Sequence, residues 1–242
     1  MLKQNFIVLF ITCLSLLQIS AQDQARQDDL YSLPPAQEGD LLCRCVSTFQ
    51  LQKSETFYFK LDGTYHEVAL TSEGISMTFP VRKTNIFTLY SKGLSEEGKV
   101  VYIPVVEQML DGPGVDHLVI LSRTPNSKTM VSTAHNLHTD IYPANALHLF
   151  NQTPLSLGVQ VDNVNALVKP LELYTHKFKN VDRNAYTSAK IAIAYKGEAK
   201  IMSSKRLRLL PGRRVIMICF PSKARSDMGA TPLRVLTLQD MP

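Results

Sequence analysis

The stretch Phe57-Tyr58-Phe59-Lys60-Leu61-Asp62-Gly63 has a counterpart later in the chain, Leu157-Gly158-Val159-Gln160-Val161-Asp162-Asn163. In both stretches every second residue is apolar, and a period of two is typical of a β-strand with one buried face. Each stretch then ends in Asp followed by Gly or Asn, which is a favoured turn pair. The two stretches therefore predict two strand–turn units of the same design.

Two further pairs of similar stretches follow in the same order along the chain. Residues 86–90 (Ile-Phe-Thr-Leu-Tyr) resemble residues 191–195 (Ile-Ala-Ile-Ala-Tyr). Leu110-Asp111-Gly112-Pro113-Gly114 resembles Leu210-Pro211-Gly212, and each of these turns leads into an apolar run. Because the three matches keep one order, we interpret them as an internal duplication.

Short apolar runs separated by turn residues recur throughout the chain after Gly39, and no helical stripe is longer than two turns. Strands at this spacing favour a sandwich or a barrel, and each repeat has the size of an immunoglobulin-like sandwich. We predict an all-β fold of two tandem immunoglobulin-like β-sandwich domains, residues 39–123 and 144–242. Residues 124–143 would form the linker. The apolar hexamer at 233–238, in the tail of the second domain, would form an added edge strand.

The N-terminus has the three parts of a secretory signal peptide. A cationic start at Lys3 precedes an apolar run and a small residue, Ala21. The run is shorter than the roughly 20 apolar residues that a membrane span needs, so we expect cleavage after residue 21. Polar residues 22–38 would then form a flexible leader. The exported chain is expected to be secreted or periplasmic, at the cell envelope, without an integral membrane span.

The exported chain contains three cysteines, Cys43, Cys45 and Cys219, so they cannot all pair within one chain. Cys43 and Cys45 would lie on one face of a strand, at the edge of the distance that a disulfide tolerates. We favour three buried thiols over a bridge. A soft-metal site at Cys43-x-Cys45 lacks a partner cluster, and we predict no bound metal or cofactor.

No motif for a nucleophile elbow, a zinc helix or a phosphate loop is present. His135, His138 and Asp140 could begin a metal site, but no further ligand follows at metal-site spacing, which favours a polar linker with solvated histidines. We therefore predict that the protein is not an enzyme. A secreted hydrolase remains an alternative, because carboxylate pairs are recognised by geometry and not by spacing. Asn151-Gln152-Thr153 would accept a glycan only in a eukaryotic source.

Charge divides the chain into two halves of opposite sign. Residues 22–140 carry 10 Lys or Arg against 15 Asp or Glu, whereas residues 141–242 carry 15 against 6. We predict an anion-binding or partner-binding hairpin, turned at Pro211-Gly212, with these residues: Lys205, Arg206, Arg208, Arg213 and Arg214. The alternative is a solvated strand face that aids solubility.

These features predict a non-catalytic binding or scaffolding protein. The basic second domain would bind an anionic polysaccharide, an acidic protein surface, or the acidic first domain of another copy or of the same chain across the linker. We do not expect a nucleic-acid partner. Two sandwiches, export and a basic pI near 9.0 also resemble the architecture of periplasmic pilus chaperones. That resemblance implies a chaperone as an alternative function, and it assigns a role to no residue of this chain.

Overall fold

The computed structural model describes residues 33–49, 55–70, 74–112, 115–123, 129–182, 185–195, 197–221 and 233–240. The predicted signal peptide lies outside these residues, and so do residues 22–32 of the predicted leader. The remaining leader residues, 33–38, are not a free segment. Leu33 packs against the first hydrophobic core, and the Pro35 carbonyl accepts a hydrogen bond from Arg82 Nη2 at 2.8 Å.

Sixteen strands form the described chain, eight in each half. The first half contains β1 (Leu41–Ser47), β2 (Phe57–Leu61), β3 (Thr64–Val68), β4 (Ile75–Val81), β5 (Ile86–Leu94), β6 (Val100–Met109), β7 (Asp116–Arg123) and β8 (Met130–Asn136). The second half contains β9 (Ala146–Asn151), β10 (Leu157–Val161), β11 (Val164–Val168), β12 (Leu173–Lys177), β13 (Tyr186–Tyr195), β14 (Glu198–Arg208), β15 (Arg214–Pro221) and β16 (Leu233–Asp240). No helix occurs in the described residues, so none there is available to cross a membrane.

The strands form four sheets of four strands, and the second half repeats the topology of the first. Sheet I has the order β3-β2-β5-β6 and sheet II the order β4-β1-β7-β8. Sheet III, β12-β9-β15-β16, repeats sheet II, and sheet IV, β11-β10-β13-β14, repeats sheet I. Even the single parallel pairing of each half recurs, β1 with β7 and β9 with β15. The predicted duplication and the tandem β-sandwiches are therefore present.

The predicted strand–turn units start this topology in each half. Phe57, Phe59 and Leu61 are buried, as are their counterparts in the second half, because alternation turns one face of each strand towards the core. The turns between β2 and β3 and between β10 and β11 place Asp62 and Asp162 in the left-handed region, at φ 49° and 51°. Asp tolerates that conformation better than most residues, which explains the repeated turn pair.

The second sequence match joins the correct strands in the wrong register. Because β2 pairs Phe59 with Leu89 and β10 pairs Val159 with Ile191, Leu89 corresponds to Ile191. The sequence match had equated Ile86 with Ile191, three residues away. The bulges confirm the corrected register, since each half shifts immediately after these two residues.

Three hydrophobic cores separate the four sheets. The core between sheets I and II contains Cys43, Phe59 and Leu121, and the core between sheets III and IV contains Leu147, Val159 and Cys219. A third core contains Val46, Leu118, Ile120, Leu137, Tyr142, Phe150, Ile216, Ile218 and Phe220. Seven of these side chains come from the second faces of sheets II and III, whereas Leu137 and Tyr142 come from the segment between β8 and β9. The sheets therefore stack in the order I–II–III–IV, with sheets I and IV outermost.

The predicted linker is only partly a linker. Met130–Asn136, within residues 124–143, forms strand β8 and pairs with β7 from Arg123↔Met130 to His117↔Asn136. The side chains of β8 are mostly small or polar and do not alternate between buried and exposed, so the sequence showed no period of two. Backbone pairing with β7 places this edge strand instead. The predicted edge strand at 233–238 does form, as β16, and it pairs with β15.

Candidate functional site

The outer surface of sheet IV carries the predicted basic residues that are exposed on a strand. Arg206 and Arg208 alternate with buried Leu207 on β14, so both point away from the core. They lie opposite Ser188 and Tyr186 of β13. The Arg206 guanidinium lies 4.4 Å from the centroid of the Tyr186 ring, an arrangement in which the aromatic face attracts the cation. We call the surface of Tyr186, Lys190, Arg206 and Arg208 the basic face.

A groove of about 430 Å³ adjoins the basic face at Tyr186. Lys177, Lys179 and His176 also line it. The one carboxylate in its lining, Asp162, accepts hydrogen bonds from Thr187 Oγ1 at 2.8 Å and from the Ser188 amide at 3.3 Å. The side chains around this groove therefore extend the positive surface beyond the two arginines.

The predicted arginine hairpin does not form. Strand β14 belongs to sheet IV and β15 to sheet III, so the turn at Pro211-Gly212 carries the chain from one sheet to the other. Arg213 is exposed at that turn, whereas Arg214 is completely buried on β15. Arg214 is therefore not part of an anion-binding surface, and that part of the prediction is wrong.

Lys205 ties two strands together. Its Nζ atom donates to the Val235 carbonyl at 2.9 Å and to Thr237 Oγ1 at 3.0 Å, both on β16. The side chain thus joins the edge of sheet IV to the edge of sheet III. We assign Lys205 a structural role beside the basic face.

Arg214 belongs to a group of four charges between sheets II and III, which we call the charge quartet: Arg44, Asp116, Arg214 and Asp240. Arg214 contacts Asp240 Oδ2 through Nε at 2.7 Å and through Nη2 at 2.6 Å. Arg44 binds Asp240 and also Asp116 Oδ2, the latter at 2.7 Å. Arg214 Nη2 lies 3.5 Å from Asp116 Oδ2. Arg44 and Asp116 come from the first half and the other two residues from the second, so the quartet joins the halves.

Further hydrogen bonds support Arg214, and the surrounding charges favour the ionised forms of Asp240 and Arg44. Arg214 Nη1 donates to the carbonyls of Leu137 at 2.8 Å and Tyr142 at 3.0 Å. Burial disfavours the charged form of Asp240, but hydrogen bonds and attraction from Arg44 and Arg214 outweigh it and lower the pKa of that carboxyl. Burial likewise opposes the charge of Arg44, and Asp240 and Asp116 raise its pKa nevertheless. The fixed charges therefore orient the two sandwiches.

The predicted metal-site residues do not converge. His138 Nδ1 lies 3.5 Å from Asp140 Oδ2, but His135 points elsewhere and packs on Phe150, with ring centroids 4.2 Å apart. Burial lowers the pKa of His135 to about 4, so the expectation of two solvated histidines is wrong for this one. Among the described residues no group of three or more His, Cys, Asp or Glu side chains is placed to hold a metal ion.

The cysteines are three separate buried thiols, as we favoured. Cys43 and Cys45 belong to the core of the first half and Cys219 to that of the second. Burial raises the pKa of Cys219 to about 12, and burial together with neighbouring Cys45 raises the pKa of Cys43. Such thiols are poor nucleophiles and poor metal ligands.

Sequence reasoning missed an aromatic surface on sheet I, which we call the tyrosine cluster: Tyr58, Tyr65, Tyr90 and Tyr102. These side chains come from four different strands and are half-buried on the outer face. The Tyr65 and Tyr102 rings stack with centroids 3.8 Å apart and planes at 5°. Tyr58 meets Tyr102, and Tyr90 meets Tyr65, edge to face, each at 5.1 Å. The signal was the alternation of Tyr58 and Lys60 against the buried phenylalanines of β2.

No protein-family model matches this chain, and no curated protein matches it either. The basic face, the charge quartet and the tyrosine cluster are therefore the features on which a functional assignment rests. Of these, the quartet lies between the halves with Arg214 and Asp240 buried, whereas the other two features lie on the outermost sheets.

Proposed function

We propose that this protein is a non-catalytic binding or scaffolding protein of the cell envelope, secreted or periplasmic, whose second sandwich binds an anionic partner. The observation that supports this best is the basic face. Two exposed arginines stand side by side on one sheet surface, and a groove lined with lysines continues it. An extended surface of one sign raises the local concentration of oppositely charged groups and guides their approach.

The chemistry of the basic face favours sulfate or carboxylate groups on a polymer. A guanidinium presents a planar fork of N–H donors that matches these oxyanions, and stacking on a ring limits its rotation. Tyr186 supports Arg206 in this way. The alternating pattern of β14 also fixes the spacing of the two arginines. An anionic polysaccharide or an acidic protein surface presents charges in such rows.

The stack of four sheets supports a scaffolding role. The core between sheets II and III and the charge quartet join both halves, so sheets I and IV face in opposite directions. A partner on the basic face and another on sheet I would then be held at a fixed distance. We also propose that each sandwich is immunoglobulin-like. In support, each half packs two sheets face to face over about 100 residues.

Capture of partners by the exported chain, residues 22–242, tests this function. We expect the wild type to retain acidic polysaccharide or acidic protein from a cell-envelope extract, and an Arg206→Glu/Arg208→Glu variant to lose it. A Lys99→Glu/Lys169→Glu variant changes the net charge by the same amount, but at two exposed lysines outside the basic face. This control should bind the same partners as the wild type. Identical partners in all three samples would exclude the basic face as the binding surface.

A further inference from the structure

We propose that the outer face of sheet I binds a neutral oligosaccharide chain, through the tyrosine cluster and a groove beside it. This site lies on the half of the protein that the basic face does not include. The proposal concerns a second ligand and does not depend on binding of an anionic partner.

The duplication shows that the fold does not need the four tyrosines. Strand pairing identifies the equivalent positions, because Tyr58↔Tyr90 in sheet I corresponds to Gly158↔Ala192 in sheet IV. By the same pairing, Tyr65 corresponds to Asn165 and Tyr102 to Ala199. A glycine, an asparagine and two alanines therefore support the same four-stranded sheet. The rings of the first half contribute something other than its topology.

Sheet I is also open where sheet IV is closed. Strands β10 and β13 pair at five positions, from Leu157↔Ile193 to Val161↔Ala189. Strands β2 and β5 pair at only two, Tyr58↔Tyr90 and Phe59↔Leu89. In the second half the Asp162 amide also donates to the Ser188 carbonyl at 2.9 Å, which holds the turn against β13. In the first half Asp62 instead pairs with Arg82.

The opening is a groove of about 470 Å³ that continues the tyrosine cluster. Lys60, Thr88, Tyr90 and Glu107 are among its lining residues. Lys60 Nζ lies 5.2 Å from the centroid of the Tyr65 ring, and the edge-to-face contact of Tyr90 also reaches that ring. The groove and the cluster therefore form one surface across β3, β2 and β5.

The polar groups of this surface suit hydroxyl groups. Among the described residues, none of the four phenol hydroxyls makes a hydrogen bond, so each can donate to and accept from a ligand. Two ammonium groups, Lys60 and Lys92, stand against two carboxylates, Glu67 and Glu107, on the same face. The groove also contains Lys83 and Arg82, and Arg82 is paired with Asp40 and Asp62. The positive and negative groups therefore balance, which favours a neutral ligand with many hydroxyls.

A peptide fits this surface less well than a sugar chain. Peptide and protein partners are usually anchored by a side chain in a closed, desolvated apolar pocket. The groove is open and mixes charged, hydroxyl and aromatic side chains, so it offers no such anchor. Half-exposed rings can instead pack against the C–H faces of sugar rings while their hydroxyls bind the sugar hydroxyls.

Tyrosine fluorescence offers a direct assay, because the sequence contains nine tyrosines and no tryptophan. We would titrate the exported chain, residues 22–242, with hexasaccharides of β-1,4-glucose, α-1,4-glucose and β-1,4-N-acetylglucosamine, and with decaproline as the peptide probe. We expect at least one hexasaccharide to bind and decaproline not to bind. A Tyr65→Asn/Tyr102→Ala variant should bind that sugar about tenfold more weakly, since two aromatic contacts are lost.

Three controls separate the proposal from its alternatives. The Asn and Ala of that variant already occupy the equivalent positions in the second half, so the variant should fold, and its urea midpoint is measured. A Tyr65→Phe/Tyr102→Phe variant keeps the stacked rings and should lose part of the affinity with the hydroxyls. Arg206→Ala/Arg208→Ala should leave sugar binding unchanged. Binding of no hexasaccharide, equal binding by the Asn/Ala variant, or tyrosine-dependent binding of decaproline in place of a sugar would overturn the proposal.

Discussion

Replacing Asp240 by Asn would remove one charge from the middle of the charge quartet without changing the shape of the side chain. Asp240 contacts both Arg44 and Arg214, and the Arg214 side chain is 0% exposed. Breaking a buried pair by neutralising one partner usually costs about 3–5 kcal/mol, because the other charge stays buried. We expect a loss near the lower end, about 3 kcal/mol, since Asp116 remains close to Arg214.

Urea unfolding of the wild type and of Asp240→Asn, followed by circular dichroism, measures this loss as a lower midpoint. Glu97→Gln is the matched control, because it removes an exposed ion pair in which Glu97 Oε2 lies 2.7 Å from Lys99 Nζ. Exposed pairs contribute little, so its midpoint should equal that of the wild type. A double variant, Arg214→Met/Asp240→Leu, should be less destabilised than the sum of its single variants. If Asp240→Asn lowers stability by less than about 1 kcal/mol, the quartet does not hold the halves together.

Three further outcomes follow from the interior of the protein. Burial lowers the pKa of His135 and of His148 to about 4, so the unfolded chain binds protons that the folded chain does not between pH 6.5 and 4. The free energy of unfolding should therefore decrease as the pH is lowered from 6.5 to 4, by at most about 2.7 kcal/mol per pH unit. His148→Gln should reduce this slope. Ellman's reagent should label the three thiols only after denaturation, and rapid labelling of the native protein would contradict their burial. Asn151 is 0% exposed, and the two N–H groups of its Nδ2 are shared among three carbonyl oxygens at 2.8–3.1 Å. Secretion from a eukaryotic host should therefore add no glycan there, as checked by mass. Asn151→Ala should cost about 1–3 kcal/mol in urea unfolding.

Local patterns were sufficient to predict most of the strands and the repeated turn. Alternation in residues 57–61 and 157–161 fixed which side chains are buried, and the Asp turn followed from backbone preference. The sequence alignment of β5 with its equivalent β13 was three residues out, because alternating apolar strands match at several offsets. Only the pairing with β2 and β10 selects the correct one. Strand β8 was missed because it forms through backbone hydrogen bonds to β7 and its own side chains show no alternation.

The candidate sites show the same division between local and long-range information. Alternation on β14 predicted that Arg206 and Arg208 share a face. Whether Arg214 lies beside them depends on which sheet receives the next strand, and local sequence does not contain that information. The unbroken apolar run after Arg214 was a usable signal, since strands buried on both faces read this way. Within the quartet, Arg44 and Asp240 are 196 residues apart in the sequence, so no local pattern could predict their contact.

One member of the tyrosine cluster, Tyr58, could have been found from the sequence. A position-by-position comparison of the two repeats aligns Tyr58 with Gly158. The shared topology does not require a tyrosine at this position. The other three tyrosines emerge only when the register of the strands is known. Function was harder to predict than fold because a basic strand face and a solubilising one have the same sequence pattern.

The affinity for dextran sulfate at increasing salt concentration tests the proposed function most directly. We predict that the chain of residues 22–242 binds this polyanion at low ionic strength and that binding weakens steeply as salt screens the basic face. Arg206→Ala/Arg208→Ala should bind at least about tenfold more weakly at low salt and should show a flatter salt dependence. Equal affinity and equal salt dependence in the wild type and this variant would contradict the assignment of anion binding to sheet IV.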